Sequence, residues 1–293
     1  MPYASADDGI RLHYEEAGSG TPIIFVHEFG GSYRSFEMQM RHFSRHHRCI
    51  TFAARGYPPS DVPESVEMYS QTHAMQDIVA VMDAANVTRA HAVGVSMGGF
   101  AVLQFGLERP ERALSIAIGG VGYGAEKQFE EYFRAVSLEV ARQFEQQGSK
   151  EFAKTYSLGA SRVQFQNKDP RGWREFADML GEHSAVGAAN TMRGVQAKRP
   201  SIYDWEDRLR AMTVPTLVIV GDEDDHCLQP GLFLKRAIQT CGLLVLPKTG
   251  HAMNLEEPEH FNRFLGEFIT MVEAGKWAPR DPRATPAQIM KTN

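Results

Sequence analysis

The chain has 293 residues, of which 43% are hydrophobic and 23% are charged, and its formal net charge is −5. This composition is typical of a globular protein, and the length is enough for one large α/β domain that carries an insertion. Because the net charge is negative and no basic tract is present, nucleic acid is not an expected partner.

The N-terminal segment MPYASADDGIRLHYEE carries acidic residues where a secretory signal has positive charge and then an apolar run. No apolar stretch reaches the roughly 18 residues that a membrane-spanning helix needs, so we expect no membrane partner. The cysteines Cys49, Cys227 and Cys241 are odd in number and lack C-x-x-C spacing. This pattern predicts free thiols in a reducing compartment, and therefore a cytoplasmic protein.

Short β-branched segments alternate with helical segments, which is typical of an α/β protein with a mostly parallel, twisted sheet and helices on both faces. In chain order, strands are predicted at Arg11–Glu15, Pro22–His27, Cys49–Ala54, Ala90–Val95, Leu114–Ile118, Thr216–Val220 and Leu243–Leu246. Helices are predicted at Ser35–Phe43, Tyr69–Ala85, Gly98–Glu108 and Pro258–Glu273.

The alternation stops between Tyr123 and Arg210, where only helical patterns occur. Apolar residues recur every three or four positions over Phe129–Phe144, which predicts one apolar helix face. The pair Asp169-Pro170 is typical of a helix start, and that helix should continue to Leu180. A further helix is predicted over Ala185–Val195.

These patterns predict three parts of the chain. Residues 1–122 and 211–275 would form the α/β core, and residues 123–210 would form an all-helical cap, or lid, inserted into it. The lid aromatics can line an apolar pocket or form the lid's own core, and their helical spacing favours the core. Residues 276–293 contain three prolines without periodicity, which predicts an irregular tail or a strap across a neighbour.

The strongest chemical signal is the sequence Gly94-Val95-Ser96-Met97-Gly98, where a predicted strand passes directly into an apolar helix. A serine on such a turn adopts strained backbone angles and presents its hydroxyl above the sheet. Glycine at both flanking positions lets the strand and the helix approach each other closely. We therefore predict that Ser96 is a catalytic nucleophile.

A serine nucleophile needs a base, and the base needs a carboxylate that orients it. His251 follows a predicted strand and precedes the last helix, whereas His226 is the rival base beside an acidic cluster. In that cluster Asp222 is expected to begin the turn, and Asp224 lies further into the loop, free to reach His251. In catalytic triads whose serine lies in a G-x-S-x-G turn, the residues follow one another along the chain in the order Ser…Asp…His, which is the order found here.

In these motifs the sequence resembles the α/β-hydrolase fold family, specifically its esterase, enol-lactone hydrolase and cofactor-free haloperoxidase group, from Arg11 to Glu273. The resemblance places Ser96 as nucleophile, Asp224 as acid and His251 as base. It implies hydrolysis of a small ester or lactone through an acyl-enzyme, with no cofactor and no metal. His42 and His46 have the i,i+4 spacing of metal ligands, but no third ligand is evident.

Stabilising the tetrahedral intermediate requires two backbone N–H donors. One is expected from Met97, directly after the nucleophile. The second resembles the family's H-G-x-G loop, here His27-Glu28-Phe29-Gly30, which assigns the donor to Phe29 and a structural role to His27.

Two positions depart from the family pattern. Glu28 stands where the family usually has glycine, and two interpretations stay open. The side chain turns away and hydrogen-bonds locally, which we favour, or it lies in the active site and modulates it, as the glutamate of a similar dienelactone hydrolase loop does. Ala53 replaces the aspartate of a D-x-R-G loop, so one ion pair with Arg55 should be missing.

The segment Gly120–Ala125 fits G-x-G-x-x-A, a dinucleotide-binding pattern. A Rossmann unit would place a strand ending in an acidic residue about 20 residues later. The pattern there is helical, so a hinge into the lid is the favoured interpretation.

Three alternatives to ester or lactone hydrolysis remain. A carbon–carbon bond hydrolase of a ring-cleavage product would use the same triad, and a peroxide-dependent side reaction would use the same serine. From a different class, the chain could be a ligand sensor with a slow triad. The sequence leaves the substrate and a homodimeric state open.

Overall fold

The computed structural model describes residues 2–284 and contains an eight-stranded sheet. The strand order is β1-β2-β4-β3-β5-β6-β7-β8, and the strands from β4 to β8 pair in parallel. The two strands at one edge, β1 and β2, pair antiparallel. The predicted α/β class is confirmed. The strands are β1 Tyr3–Ser5, β2 Arg11–Ala17, β3 Pro22–Val26, β4 Arg48–Phe52, β5 Ala90–Val95, β6 Ala113–Gly119, β7 Thr216–Gly221 and β8 Cys241–Leu246.

Every predicted strand forms, and no end differs by more than two residues. Strand β1 was not predicted, because its three residues are too few to show an alternating pattern. Its register, Tyr3 opposite His13, comes from pairing with β2 rather than from its own composition.

Helices cover both faces of the sheet. The α-helices are α1 Glu37–Phe43, α2 Gln71–Ala84, α3 Met97–Glu108, α4 Glu130–Gln147, α5 Ser149–Tyr156, α6 Val163–Lys168, α7 Pro170–Gly181, α8 Ala185–Thr191, α9 Glu206–Ala211, α10 Asp225–Ala237, α11 Met253–Glu256 and α12 Pro258–Glu273. Helix α10 was not predicted, because its interior contains the helix-breaking pair Pro230-Gly231. None of the helices in residues 2–284 is long and apolar enough to cross a bilayer.

Alternate residues of β3 enter two separate cores. Ile24 and Val26 pack with α2, α3 and α10 on one face, whereas Ile23 and Phe25 pack with α1 and α12 on the other. A central parallel strand is therefore apolar on both faces, as its continuous hydrophobic sequence indicates. The rigid sheet fixes the positions where the loops at its carboxyl edge begin.

Between β6 and β7 the described chain forms no strand, and we call residues 120–215 the helical insertion. Asp169 caps α7 as expected, because its Oδ1 accepts the Gly172 N–H at 2.9 Å. The predicted Ala185–Val195 helix forms as α8 followed by a π-helical turn over Met192–Gln196.

The apolar face predicted for α4 is not uniformly buried. Phe144 is fully buried, but Phe129 and Val136 are each 38% exposed. Ser137 and Ala141 are the other buried positions of this helix. The face divides between the core of the insertion and the cavity described below.

Within the described residues, the tail is irregular over Lys276–Asp281 and then forms a 3₁₀ turn over Pro282–Ala284. Trp277 holds it on the chain's own sheet: its Nε1–H donates to the Thr240 carbonyl at 2.7 Å, and its ring packs on Phe268. The rest of the predicted tail, residues 285–293, lies outside the described residues. The predicted free thiols, Cys49, Cys227 and Cys241, are free and buried.

Arg55 keeps two carboxylate partners although residue 53 is alanine. Its guanidinium donates to both oxygens of Asp77, at 2.6 and 2.8 Å, and to Asp8 at 2.7 Å. Burial opposes its charge, yet these hydrogen bonds raise the pKa of Arg55. The expected loss of a pair with residue 53 is thus offset by partners that sequence analysis did not find.

Replacing Asp77 by asparagine is expected to lower the free energy of unfolding by about 3 kcal/mol, because it removes the more deeply buried of the two carboxylates that face a buried guanidinium. Urea unfolding followed by tryptophan fluorescence measures the change. The matched control is Asp83→Asn on the same helix, whose pair with Arg112 is exposed and should contribute less than about 1 kcal/mol. Equal losses in the two variants would contradict the prediction.

Candidate active site

Ser96 lies on a sharp turn between β5 and α3. Its backbone has φ 54° and ψ −117°, a strained combination for a residue with a Cβ atom. The Ser96 N–H donates to the Gly119 carbonyl at 2.7 Å, which anchors the turn to β6. A Cβ at Gly98 would lie 2.0 Å from the Val26 carbonyl oxygen, and one at Gly94 would lie 2.3 Å from the Gly98 carbonyl oxygen. Both flanking glycines are therefore required by the close approach of helix and strand.

Asp224 and His251 meet at the carboxyl ends of β7 and β8. His251 Nδ1 and Asp224 Oδ2 are 2.7 Å apart, and both side chains are buried. Burial opposes the ionised carboxylate, but the charge and hydrogen bond of His251 bring the pKa of Asp224 below its usual value. An ionised Asp224 holds a proton on Nδ1, which leaves Nε2 of the ring as a proton acceptor.

Two neighbours of Asp224 have other contacts: Asp222, which was expected to begin the turn, and His226, the rival base. Asp222 accepts the Thr249 N–H at 3.2 Å and so stabilises the turn. The rival base His226 packs against the rings of Tyr123 and Phe129. Among the described residues, the carboxylate bonded to His251 is that of Asp224.

Cys227 lies beside this pair, with its Sγ 4.0 Å from His251 Nδ1. Together Asp224, Cys227 and His251 form the one group in residues 2–284 whose ligand atoms are close enough to hold a metal. Burial and the Asp224 charge raise the pKa of the Cys227 thiol well above its usual value. Because metal binding needs a thiolate, and Nδ1 is engaged by Asp224, the group suits a protonated hydrogen-bond network better than a metal site.

The two predicted oxyanion donors belong to the first residue of α3 and to the loop after β3. Met97 is the first residue of α3, so its N–H has no acceptor within the helix. The Phe29 N–H donates to no protein acceptor in the described chain. Tyr57 fixes the Phe29 loop, because its hydroxyl donates to the Phe29 carbonyl at 3.0 Å.

His27 has the structural role expected for it. The Ala54 N–H donates to its Nε2 at 3.1 Å, so Nδ1 carries the proton and donates to the Glu28 carbonyl at 2.7 Å. Burial lowers the pKa of His27 to about 4, which keeps the ring neutral in this arrangement.

A cavity of about 140 Å³ brings most of these groups together between the sheet edge and the helical insertion. Its walls are apolar with a few charged groups, as is typical of a small-molecule site. It is lined by Glu28, Phe29, Ser96, Tyr123, Phe133, Val136, Ser137, Val140, Tyr156, Ser161, Arg162, Met192, Gln196, Arg199 and His251.

The sequence profile of the alpha/beta hydrolase fold matches residues 21–258. The chain belongs to the α/β-hydrolase family. It is 25% identical over 252 residues to 3-oxoadipate enol-lactonase 1 of Acinetobacter baylyi, covering 86% of this chain and 89% of the relative. It is 27% identical over 282 residues to the 2-hydroxy-6-oxononadienedioate/2-hydroxy-6-oxononatrienedioate hydrolase of Burkholderia vietnamiensis, covering 90% and 93%.

Solved structures agree on the fold of this α/β hydrolase. The enol-lactonase from Burkholderia xenovorans superposes with a TM-score of 0.80 at 21% identity, covering 92% of this chain and all of that one. A thermophilic esterase from Thermogutta terrifontis gives 0.81 at 22% identity, covering 92% and 98%. Family and relatives together support a hydrolase.

Glu28 lies in the wall of the hydrolase cavity, so the favoured local interpretation is wrong. Its carboxylate forms a buried ion pair with Arg162, which comes from the helical insertion. Each side chain is only 3% exposed. Burial opposes the charge of Arg162, but Glu28 keeps its pKa raised. The pair joins the loop after β3 to the insertion.

The glycine-rich segment Gly120–Ala125 also belongs to this site. A Cβ at Gly120 would lie 2.9 Å from Cε1 of His251, and one at Gly122 would lie 2.2 Å from the His226 carbonyl oxygen. The described chain continues into helix α4 and forms no second Rossmann strand. Gly120 and Gly122 are therefore explained by close packing against the loops that carry His251 and His226, where a side chain would not fit.

Three cavity residues were not predicted from the sequence: Arg162, Arg199 and Tyr123. Tyr123 stands at a variable position of the Gly120–Ala125 pattern, and the two arginines belong to no motif and lie among helical positions where charged residues are ordinarily exposed. Only the path of the insertion across the sheet edge brings them to Ser96.

Proposed function

We propose that this α/β hydrolase is a serine hydrolase that cleaves a small carboxylic ester or lactone through an acyl-enzyme on Ser96. One observation carries the proposal. His251 forms a buried hydrogen bond of 2.7 Å with Asp224, and it lines the same cavity as Ser96, whose backbone has a positive φ. A buried, ionised partner for histidine next to a strained serine is the arrangement that activates a hydroxyl.

In the first half of the reaction, Nε2 of His251 accepts the Ser96 hydroxyl proton while Oγ attacks the carbonyl carbon. The carbonyl oxygen becomes an oxyanion, and the N–H groups of Phe29 and Met97 stabilise it. The bond to the leaving oxygen then breaks, and His251 gives its proton to that oxygen. The products are an alcohol, or the opened end of a lactone, and an acyl-enzyme.

In the second half, water attacks the acyl carbon while His251 accepts one of the water protons. The same two N–H groups stabilise the second oxyanion. When the bond to Ser96 Oγ breaks, His251 returns the proton to the serine and the carboxylic acid leaves. Asp224 stays ionised throughout and stabilises the transient imidazolium.

A carbon–carbon hydrolase is the second candidate, because the Burkholderia vietnamiensis relative bears the name of such an enzyme at 27% identity. Water would still supply the oxygen of the new carboxylate, but a carbanion would replace the alkoxide as leaving group. The residues around Ser96 fit either bond.

Active-site labelling tests the proposal. A fluorophosphonate should attach to Ser96 in stoichiometric amount, as peptide mass spectrometry would show, and should abolish hydrolysis. A panel of ethyl esters, five- and six-membered lactones and a 2-hydroxy-6-oxodienoate then identifies the bond by its kcat/KM. Labelling at another serine would overturn the assignment, and turnover confined to the dienoate would favour the second candidate.

A further inference from the structure

Arg199 is a buried cation in the wall of the candidate active site. It follows the π-helical turn Met192–Gln196 and is only 5% exposed. Its guanidinium lies over the Phe100 ring, 3.7 Å from the centroid, and so is fixed in place. The cavity that it lines also holds Ser96 and His251.

The hydrogen bonds of Arg199 are incomplete. Nη1 donates to the Tyr123 carbonyl at 3.2 Å and Nη2 donates to the Gln196 side-chain oxygen. Its Nε is buried and has no partner in the described chain. Burial lowers the pKa of Arg199 to about 9, so the side chain is still protonated at neutral pH.

No carboxylate neutralises Arg199 within residues 2–284. The other two buried arginines differ, because Arg55 has Asp77 and Asp8, and Arg162 has Glu28. A buried charge without an opposite charge is costly, and proteins ordinarily avoid it. Since Arg162 is paired with Glu28, Arg199 is the one arginine of the cavity wall that forms no ion pair within the described residues.

We infer that Arg199 binds a carboxylate on the substrate, away from the bond that is cleaved, so that the enzyme prefers anionic esters or lactones to neutral ones. The inference rests on the proposed function. A guanidinium with two nitrogens already engaged suits a carboxylate, which needs few donors, better than a phosphate dianion. The carboxylate that Arg199 binds has two conceivable sources. One is a second acid group of the substrate, and the other is the acid that hydrolysis releases.

Matched substrates test the preference. Monoethyl glutarate and ethyl valerate have the same length and differ only in a terminal carboxylate or methyl group. The kcat/KM ratio should favour the monoethyl ester by about tenfold or more, and Arg199→Gln should reduce that ratio to about one. A ratio cancels any general loss of activity in the variant.

Arg193→Gln is the matched control. Arg193 lies in the π-helical turn that precedes Arg199, and it forms a partly exposed ion pair with Glu145. The Arg193→Gln substitution removes one positive charge from the same segment without altering the cavity wall. The kcat/KM ratio of the two esters should therefore keep its wild-type value. A ratio near one in the wild-type enzyme, or an unchanged ratio in Arg199→Gln, would overturn the inference.

Inhibition of the wild-type enzyme separates the two sources of carboxylate and does not depend on whether the variant folds. Glutarate should inhibit more strongly than valerate if Arg199 holds a second acid group. Equal inhibition by the two acids, with no ester preference, would mean that Arg199 meets only the released acid, and the inference would fail. Stoichiometric fluorophosphonate labelling of Ser96 in the same preparation would then show that the proposed function survives.

Discussion

Replacing Ser96 by alanine is expected to lower kcat for ester hydrolysis by about 10⁶-fold, the scale observed when the nucleophile of a serine triad is removed. The loss is this large because His251 then has no hydroxyl to deprotonate and no acyl-enzyme can form. The oxyanion donors Phe29 and Met97 remain, so a small residual rate above the uncatalysed reaction should persist. Initial rates at saturating substrate measure the effect.

Two further serine variants make this result specific. Ser96→Gly should be equally inactive yet more stable than Ser96→Ala, because glycine adopts φ 54° without the strain that a Cβ imposes. Ser137→Ala removes a hydroxyl that donates to the Phe133 carbonyl on the cavity wall, and it should change kcat by less than about tenfold. A Ser96→Ala enzyme that keeps a tenth of its activity would exclude Ser96 as nucleophile.

The residues of this site that sequence analysis found share one property. Ser96, Asp224 and His251 each follow a parallel strand within a few residues. The carboxyl ends of parallel strands meet at one sheet edge, so local sequence is enough to bring such residues together. The structure places Asp224 and His251 in hydrogen-bond contact, while their catalytic roles remain predictions.

The parts that sequence analysis missed depend on contacts between distant segments. Glu28 pairs with Arg162 across 134 positions, and nothing near either residue indicates the other. Arg55 likewise finds Asp77 through the packing of α2 against the loop after β4. Local pattern predicts which elements form, whereas the partner of a buried charge is set by how those elements pack.

Asp224→Asn is expected to lower kcat by about 10⁴-fold while leaving the fold intact. An asparagine amide can donate to Nδ1 of His251, which favours the tautomer that carries its proton on Nε2. That proton blocks the position that must accept the Ser96 hydroxyl proton, and the imidazolium formed in the transition state loses its negative partner. Steady-state kinetics measures the loss, and fluorophosphonate labelling of Ser96 should slow in parallel, because it requires the same activated hydroxyl.

The control for this prediction is Asp222→Asn in the same loop. Asp222 accepts the Thr249 N–H, so its replacement affects the turn before it affects the chemistry. We expect a decrease in the free energy of unfolding of about 1 kcal/mol and a change in kcat below about tenfold. If Asp222→Asn lost as much activity as Asp224→Asn, loop geometry rather than the charge of Asp224 would control the site. If Asp224→Asn kept near-normal kcat, His251 would not need a carboxylate, and the proposed mechanism would have to be abandoned.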